Sequence, residues 1–427
     1  MTPASPNDPA PGVPARAAAL KLLDAVLRRG LPLEGALDAA ARGLDRPEDR
    51  ALAHALAAAV LRHLPDLDRL IDGATAKPLP ADAKARFVLR LALAQSLALG
   101  TPAHAAISTV LPLVDGGPRR LVHGVFGALN RAGARLPDAP SLPAEVKARW
   151  RGHWGEATVA AAGRLLAAPP PLDLSLRDPA ETSLWAERLG AVSLAPGHLR
   201  LRAPGRVTAL PGFAEGAWWV QDLSASLPVR LLGAGRNRRA LDLCAAPGGK
   251  TLQLAAAGWS VEAIDLAEPR LARMGENLAR TGLRATLRTA DALTFTAEGP
   301  ADAVMLDAPC SATGIFRRHP DVLHRVRPRA IAGLAERQGA MLARAAGWVA
   351  PGGTLVYATC SLEPDEGEAI ADAFLASHAG FAAAPVLAEE LPDGIAPDPA
   401  GRVRVLPGTL EAAGGADGFF VARFRRR

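Results

Sequence analysis

Three segments in the second half of this 427-residue chain join an apolar run to a tight, cysteine-bearing turn: LDLCAAPGGKT (241–251), DAPCSATG (307–314) and YATCSLEPDEGE (357–368). Short apolar runs bounded by turns read as strands buried on both faces. Such runs at 240–243, 261–264, 285–289, 303–306 and 354–357 alternate with helical stretches at 250–257, 268–280 and 329–349. That rhythm dictates an α/β, Rossmann-like, doubly wound parallel sheet, whose strands present their C-terminal ends along one crevice. The three turns are therefore expected around a single site, with one ligand-cradling loop and two thiols facing it. Runs at 403–406 and 419–424 read as a closing antiparallel pair.

The first third has a different period. Residues 18–27 place Leu20, Leu23, Val26 and Leu27 on one helical face before Gly30. Further helices are expected over 47–64, 83–99, 104–114 (broken near Pro112) and 119–136, so 15–136 reads as an all-α bundle. A Pro-rich connection follows at 137–143, then a helix over 146–166 that Pro169, Pro170 and Pro171 forbid from continuing. Residues 172–219 suggest a small α+β subdomain. The domain reading is a disordered arm at 1–14, the bundle at 15–136, a linker and small subdomain at 137–235 and the catalytic domain at 236–427. The arm lacks a signal-peptide pattern, and apolar stretches are interrupted before a membrane span is reached, which implies a soluble, cytoplasmic protein.

A net charge of +6 and a pI near 9.8 favour a polyanionic partner. Basic residues cluster at Arg236, Arg238 and Arg239, between Arg317 and Arg329, and at Arg423, Arg425, Arg426 and Arg427. The three cysteines, Cys244, Cys310 and Cys360, form no C-x-x-C pair, so no metal site is expected. Cys244 ends an apolar strand and reads as buried and inert.

Pro247-Gly248-Gly249 lets backbone amides approach a ligand at a helix start. Asp265, ending a strand, can bind two ribose hydroxyls, and Asp291 an adenine amino group. The spacing lacks the phosphate-binding pattern of a P-loop, so a nucleoside cofactor without phosphates fits, S-adenosylmethionine being the natural candidate.

The quoted segments, extended to DAPCSATGIFRRHPD, resemble the signature motifs of the Sun/Fmu family of RNA cytosine-5 methyltransferases. Val220-Gln221-Asp222, Arg270-Leu271, Asn277, Gly282 and Asp417-Gly418-Phe419-Phe420 agree with it. The helical region resembles the NusB-like RNA-binding domain of the family's bacterial 16S ribosomal RNA branch. The resemblance implies a class I methyltransferase core in which Cys244, Ala245, Ala246, Pro247, Gly248, Gly249, Lys250, Asp265, Asp291 and Asp307 hold S-adenosylmethionine. It makes Cys360 the nucleophile that adds to cytosine C6. Cys310 then helps remove the C5 proton and eliminate the enzyme, while Asp307 binds the N3 and amino edge of the base. A free thiol titrates near roughly 8.5, so Cys360 needs an electropositive setting such as Lys250 or nearby arginines. Arg317, Arg318 and His319 are expected to reach RNA phosphates. Two tracts depart from the family pattern, Leu174-Ser175-Leu176-Arg177-Asp178 and Val322-Leu323-His324-Arg325, both outside the thiol motifs.

The expected function is methylation of cytosine C5 in 16S ribosomal RNA by a monomer without DNA or membrane partners. A transfer-RNA enzyme is the rival of like chemistry. Pro309-Cys310 superficially fits a DNA cytosine-5 enzyme, but Cys360 and the short span between the motifs argue against it. A non-catalytic RNA-binding or antitermination factor would not need Asp307, Cys310 and Cys360 together.

Overall fold

A computed structural model describes residues 11–167, 169–202 and 205–427. Most of the expected N-terminal arm lies outside the described residues. The remainder is shorter than expected, because helix α1 already starts at Val13. The chain divides into two compact units.

The helical unit contains α1 (Val13–Leu27), α2 (Leu33–Ala40), α3 (Pro47–Arg62), α4 (Leu64–Gly73), α5 (Lys84–Leu97), α6 (Ala103–Val110) and α7 (Gly116–Arg131). Its core forms around α5, whose residues 85–95 are all buried, with Leu22, Leu23, Leu56, Leu61, Leu67 and Ile71 against it. Each such leucine contributes about 1.5–3 kcal/mol. Arg16 enters this core only because Gln95 Oε1 accepts from its Nε and Nη2 at 2.9 and 2.7 Å. Helix α8 (Ala144–Leu166) is not the continuous rod its pattern suggests. Gly155 sits at φ 79°, ψ 173° and divides it into two helices end to end.

The second unit takes His153–Ala161 of α8 and then contains β1 (Leu172–Leu176), α9 (Thr182–Leu189), β2 (Val192–Ala195), β3 (His198–Leu201) and β4 (Trp218–Val220). These strands make an antiparallel sheet in the order β2-β3-β1-β4. Asp173 within it is fully buried, yet Arg200 donates to both its oxygens at 2.7 Å. That bidentate pair holds the carboxyl well below its ordinary range despite burial.

After α10 (Leu223–Arg230) come β5 (Arg239–Leu243), α11 (Gly249–Ala256), β6 (Ser260–Asp265), α12 (Glu268–Thr281), β7 (Thr286–Thr289) and β8 (Ala301–Asp307). Then follow α13 (Val322–Arg325), α14 (Pro328–Ala346), β9 (Val349–Thr359), α15 (Glu368–Ser377), β10 (Phe381–Ala383), β11 (Val403–Val405) and β12 (Phe419–Arg426). The large sheet runs β10-β12-β9-β8-β5-β6-β7, with β11 pairing to β12. Strands β7, β6, β5, β8 and β9 are mutually parallel, and β12 is antiparallel to β9. The chain steps outward from β5 to β7, then returns to β8 on the other side of β5. This order makes the β5/β8 boundary the switch point where ligands bind in such folds.

Two of the boundaries that differ from expectation bear on the second unit. Helix α14 stops at Ala346, and Pro351-Gly352-Gly353 lies inside β9, where the register jumps from Ala301↔Val349 to Ala303↔Thr354. The stretch Arg318–Val326, with α13, belongs to the helical unit, so the catalytic unit is not one continuous stretch from residue 236. Asp321 Oδ2 accepts from the Leu33 N–H at 3.3 Å, and His324 Nε2 donates to the Leu61 carbonyl at 2.7 Å.

Candidate active site

Residues 244–250 leave the end of β5, Asp265 closes β6, Asp307 closes β8, and Cys360 directly follows β9. Because these strands are neighbours and parallel, the sheet brings all of them to one edge, as their spacing predicts.

The β5 loop reverses sharply. Cys244 adopts φ +59° and Gly248 φ +103°, and a Cβ on Gly248 would lie 2.5 Å from Met274 Cγ. Asp265 braces this loop. Its Oδ2 accepts from the Ala246 N–H at 3.0 Å, while Oδ1 accepts from Ala267 N–H and Arg270 Nη2, each at 2.9 Å. Asp291 Oδ1 accepts from the Leu293 N–H at 2.9 Å, so it caps the turn after β7, and its Oδ2 lies 3.8 Å from Arg337. Carboxylates at the end of β6 and just after β7 thus stand beside the glycine turn that follows β5.

Asp242 lies inside β5, a charged residue within an otherwise apolar strand, and that placement alone marks it out. Burial, foremost, pushes its carboxyl up to about 7, and the Thr251 hydroxyl donating at 2.6 Å only partly offsets this. Burial, then the charges of Asp307 and Asp265, pushes the Cys244 thiol up to about 12, in keeping with an inert cysteine.

The thiols of Cys310 and Cys360 meet at 3.5 Å. Lys250 Nζ donates to Asp307 Oδ2 at 2.8 Å and sits 5.2 Å from the centre of the Phe419 ring. Burial opposes the Lys250 ammonium, but Asp307 and then Cys360 raise its pKa above the usual value. A cavity of about 390 Å³ opens at Lys250 and Asp307, lined also by Phe213, Gln221, Pro247 and Asn277. Cys310 is held as a thiol well above its ordinary range, first by its hydrogen bond to Cys360, then by burial and the charges of Cys360 and Glu366.

The loops are packed backbone to backbone. Gly314 N–H donates to the Cys360 carbonyl and Gly418 N–H to the Gly314 carbonyl, both at 2.9 Å. Thus Asp417-Gly418-Phe419-Phe420, far along the sequence, is part of the same construction.

Arg317 is a correction. It is 1% exposed, its Nη1 3.4 Å from Asp417 and its Nη2 donating to the Gly414 carbonyl at 2.5 Å, so it is not placed to meet phosphate. Its neighbours Arg318 and His319 are half-buried and fall in the helical unit. Burial, foremost, lowers the His319 pKa, with Asp321 and Glu34 opposing.

Two family models match the chain: 16S rRNA methyltransferase RsmB/F over residues 229–425 and the NusB family over residues 13–119. Ribosomal RNA small subunit methyltransferase B of Xylella fastidiosa strain Temecula1 is 38% identical, covering 96% of this chain and 98% of its own length. The Klebsiella pneumoniae protein of the same name is 33% identical over 96% of this chain and 98% of its own. Among solved structures, PH0851 superposes with a TM-score of 0.73 at 22% identity, covering 98% of this chain and 100% of that one. NSun6 from Pyrococcus horikoshii with SFG gives 0.57 at 20% identity over 67% of this chain and 98% of that one. These two likenesses are of fold.

Proposed function

We propose that this chain, which belongs to the RsmB/F family of 16S ribosomal RNA methyltransferases, methylates C5 of a cytosine in 16S ribosomal RNA through a cysteine–C6 adduct. The observation that carries this reading is the pair of thiols 3.5 Å apart, beside the Lys250–Asp307 ion pair at the switch point of the sheet. Methylation at a nitrogen or a hydroxyl needs no sulfur nucleophile, whereas C5 of cytosine must first be made electron-rich.

The cofactor is S-adenosylmethionine, and when bound it supplies a methyl group on a sulfonium. The loop of residues 244–250, Asp265 and Asp291 are the groups of this chain suited to hold it. Asp307, oriented by Lys250, accepts from the amino edge of the base and fixes its plane. Cys360 attacks C6, which raises electron density at C5 for the methyl group to be accepted there. Loss of the C5 proton then restores the C5–C6 double bond as the C6–S bond breaks and frees Cys360. The target base has to be unstacked to be reached.

The test combines radiolabelled methyl transfer with bisulfite mapping on 16S RNA, transfer RNA and DNA. We expect one 5-methylcytosine in 16S RNA, no transfer by Cys360→Ala, and a denaturant-stable RNA adduct with Cys310→Ala. Label in transfer RNA alone would reject the ribosomal substrate. Activity in Cys360→Ala would reject the chemistry.

A further inference from the structure

Glu366 lies in the short turn Pro364–Glu366, six residues past Cys360, and no step above uses it. It is fully buried. Its Oε1 accepts from the Ser311 N–H at 2.8 Å and from Gln338 Nε2 at 3.0 Å. Its Oε2 accepts from the Ser361 hydroxyl at 2.6 Å and from the Ser311 hydroxyl. Ser311 follows Cys310 and Ser361 follows Cys360, so one carboxylate grips both cysteine loops from behind. Gln338 Nε2 also donates to the Pro309 carbonyl at 2.9 Å, and the Tyr357 hydroxyl donates to the Glu366 carbonyl at 2.6 Å. The loops are thereby fixed to α14 and β9.

We propose that Glu366 is the positioning residue that divides the labour of the two thiols, tying their loops at reacting distance and barring Cys310 from acting as the attacking sulfur. The proposal rests on the reading of Cys360 as nucleophile. All four donors to the carboxylate are neutral, so its charge is solvated but not cancelled, and its field falls on the nearby Cys310. Cys360 instead lies within the field of the Lys250 ammonium. Of the titratable groups, Cys360 and Tyr357 face Cys310 from the end of β9 and Glu366 from the turn, while the Lys250 ammonium, paired with Asp307, acts on Cys360. Burial and the Cys360 and Glu366 charges all act in one direction, toward the protonated Cys310.

A thiol held protonated 3.5 Å from Cys360 suits the last step. As the C6–S bond breaks, its electron pair stays on the Cys360 sulfur, which takes the Cys310 proton. The bared Cys310 sulfur takes the C5 proton, and the C5–H electrons close the C5–C6 double bond. Both cysteines end as thiols, and no outside acid or base is consumed.

The test needs no RNA. In a Cys360→Ala background, the rate of iodoacetamide labelling at Cys310 is followed against pH by peptide mass mapping, with and without Glu366→Gln. Cys244, pushed up to about 12, serves as the unlabelled reference. Removing the buried charge is expected to speed Cys310 labelling about tenfold near pH 8 and to move its profile to lower pH. An unchanged profile overturns the electrostatic half of the proposal. Ser311→Ala and Ser361→Ala keep the charge and each removes one hydroxyl tie to it, the Ser311 N–H bond being left in the first, so they remain informative if Glu366→Gln does not fold. Each is expected to lower kcat for methyl transfer about tenfold or more with KM for S-adenosylmethionine unchanged. Parental kcat in both overturns the tie. A labelling shift with no adduct in Cys310→Ala would instead keep the electrostatic half and reject the assigned roles of the thiols.

Discussion

Gly314→Ala tests whether the two cysteine loops form one packed body. A Cβ at Gly314 would stand 2.0 Å from the Gly418 carbonyl oxygen and 2.8 Å from that of Cys360. Both are backbone atoms, so no side chain can swing aside. Relief requires parting the segments and losing the two 2.9 Å hydrogen bonds that meet at Gly314. Overpacking of this sort costs about 1–3 kcal/mol, and each buried backbone group left unpaired about 1–3 kcal/mol more. A total of at least about 3 kcal/mol follows, or a fall of about 6–12 °C in the melting of the catalytic unit. Scanning calorimetry reads that transition, and methyl transfer on the same samples reads the site, which should lose most of its activity. Gly333→Ala is the control: Gly333 lies exposed inside α14 with nothing within 4 Å of its would-be Cβ. It should gain about 0.5–1 kcal/mol. If Gly314→Ala melted within a degree of the parent and turned over normally, the steric reasoning would fail.

Two further outcomes follow from buried charges. Asp242 titrates near 7 in the fold against about 3.9 unfolded, so the native state holds a proton that the unfolded state releases. Its contribution is fully present below about pH 4 and lost as pH rises through 7, a decline of up to about 4 kcal/mol. Urea midpoints of Asp242→Asn should fall less than the parent's between pH 5 and 8, and parallel curves would sink the idea. Arg317→Ala removes a buried guanidinium and its ion pair with Asp417 and should cost about 3–5 kcal/mol in urea unfolding. The salt slope of RNA binding should stay as it was, whereas a slope reduced by about one would return Arg317 to the RNA surface.

The apolar runs and turns made the sheet legible, because strands buried on both faces and the glycine turn between β5 and α11 are local facts of sequence. The same holds for Asp265, Asp307, Cys310 and Cys360, which need only a strand end to be placed. What failed to show depends on partners distant in the chain. Arg317 looks like a phosphate contact until Asp417, one hundred residues on, is seen beside it. Glu366 sits in a quoted motif, but its role appears only when Ser311 and Gln338 reach it from other elements. Helix α2 is short, and its three buried residues, Leu33, Ala36 and Ala40, carry too weak a period to be noticed. Gly155 resembles any tolerated helical glycine until its backbone turns.

The chain departs from the catalytic unit after Arg317 and rejoins it at Arg327, having lodged Asp321, Val322 and Leu323 in the interior of the helical unit. The chain therefore passes between the two units more than once. A fragment cut to residues 13–119, the matched NusB region, would lack residues 318–326 of its own unit. Exchange of the helical unit between homologues would have to carry residues 318–326 with it, so the sequence of that stretch is expected to follow the lineage of the helical unit.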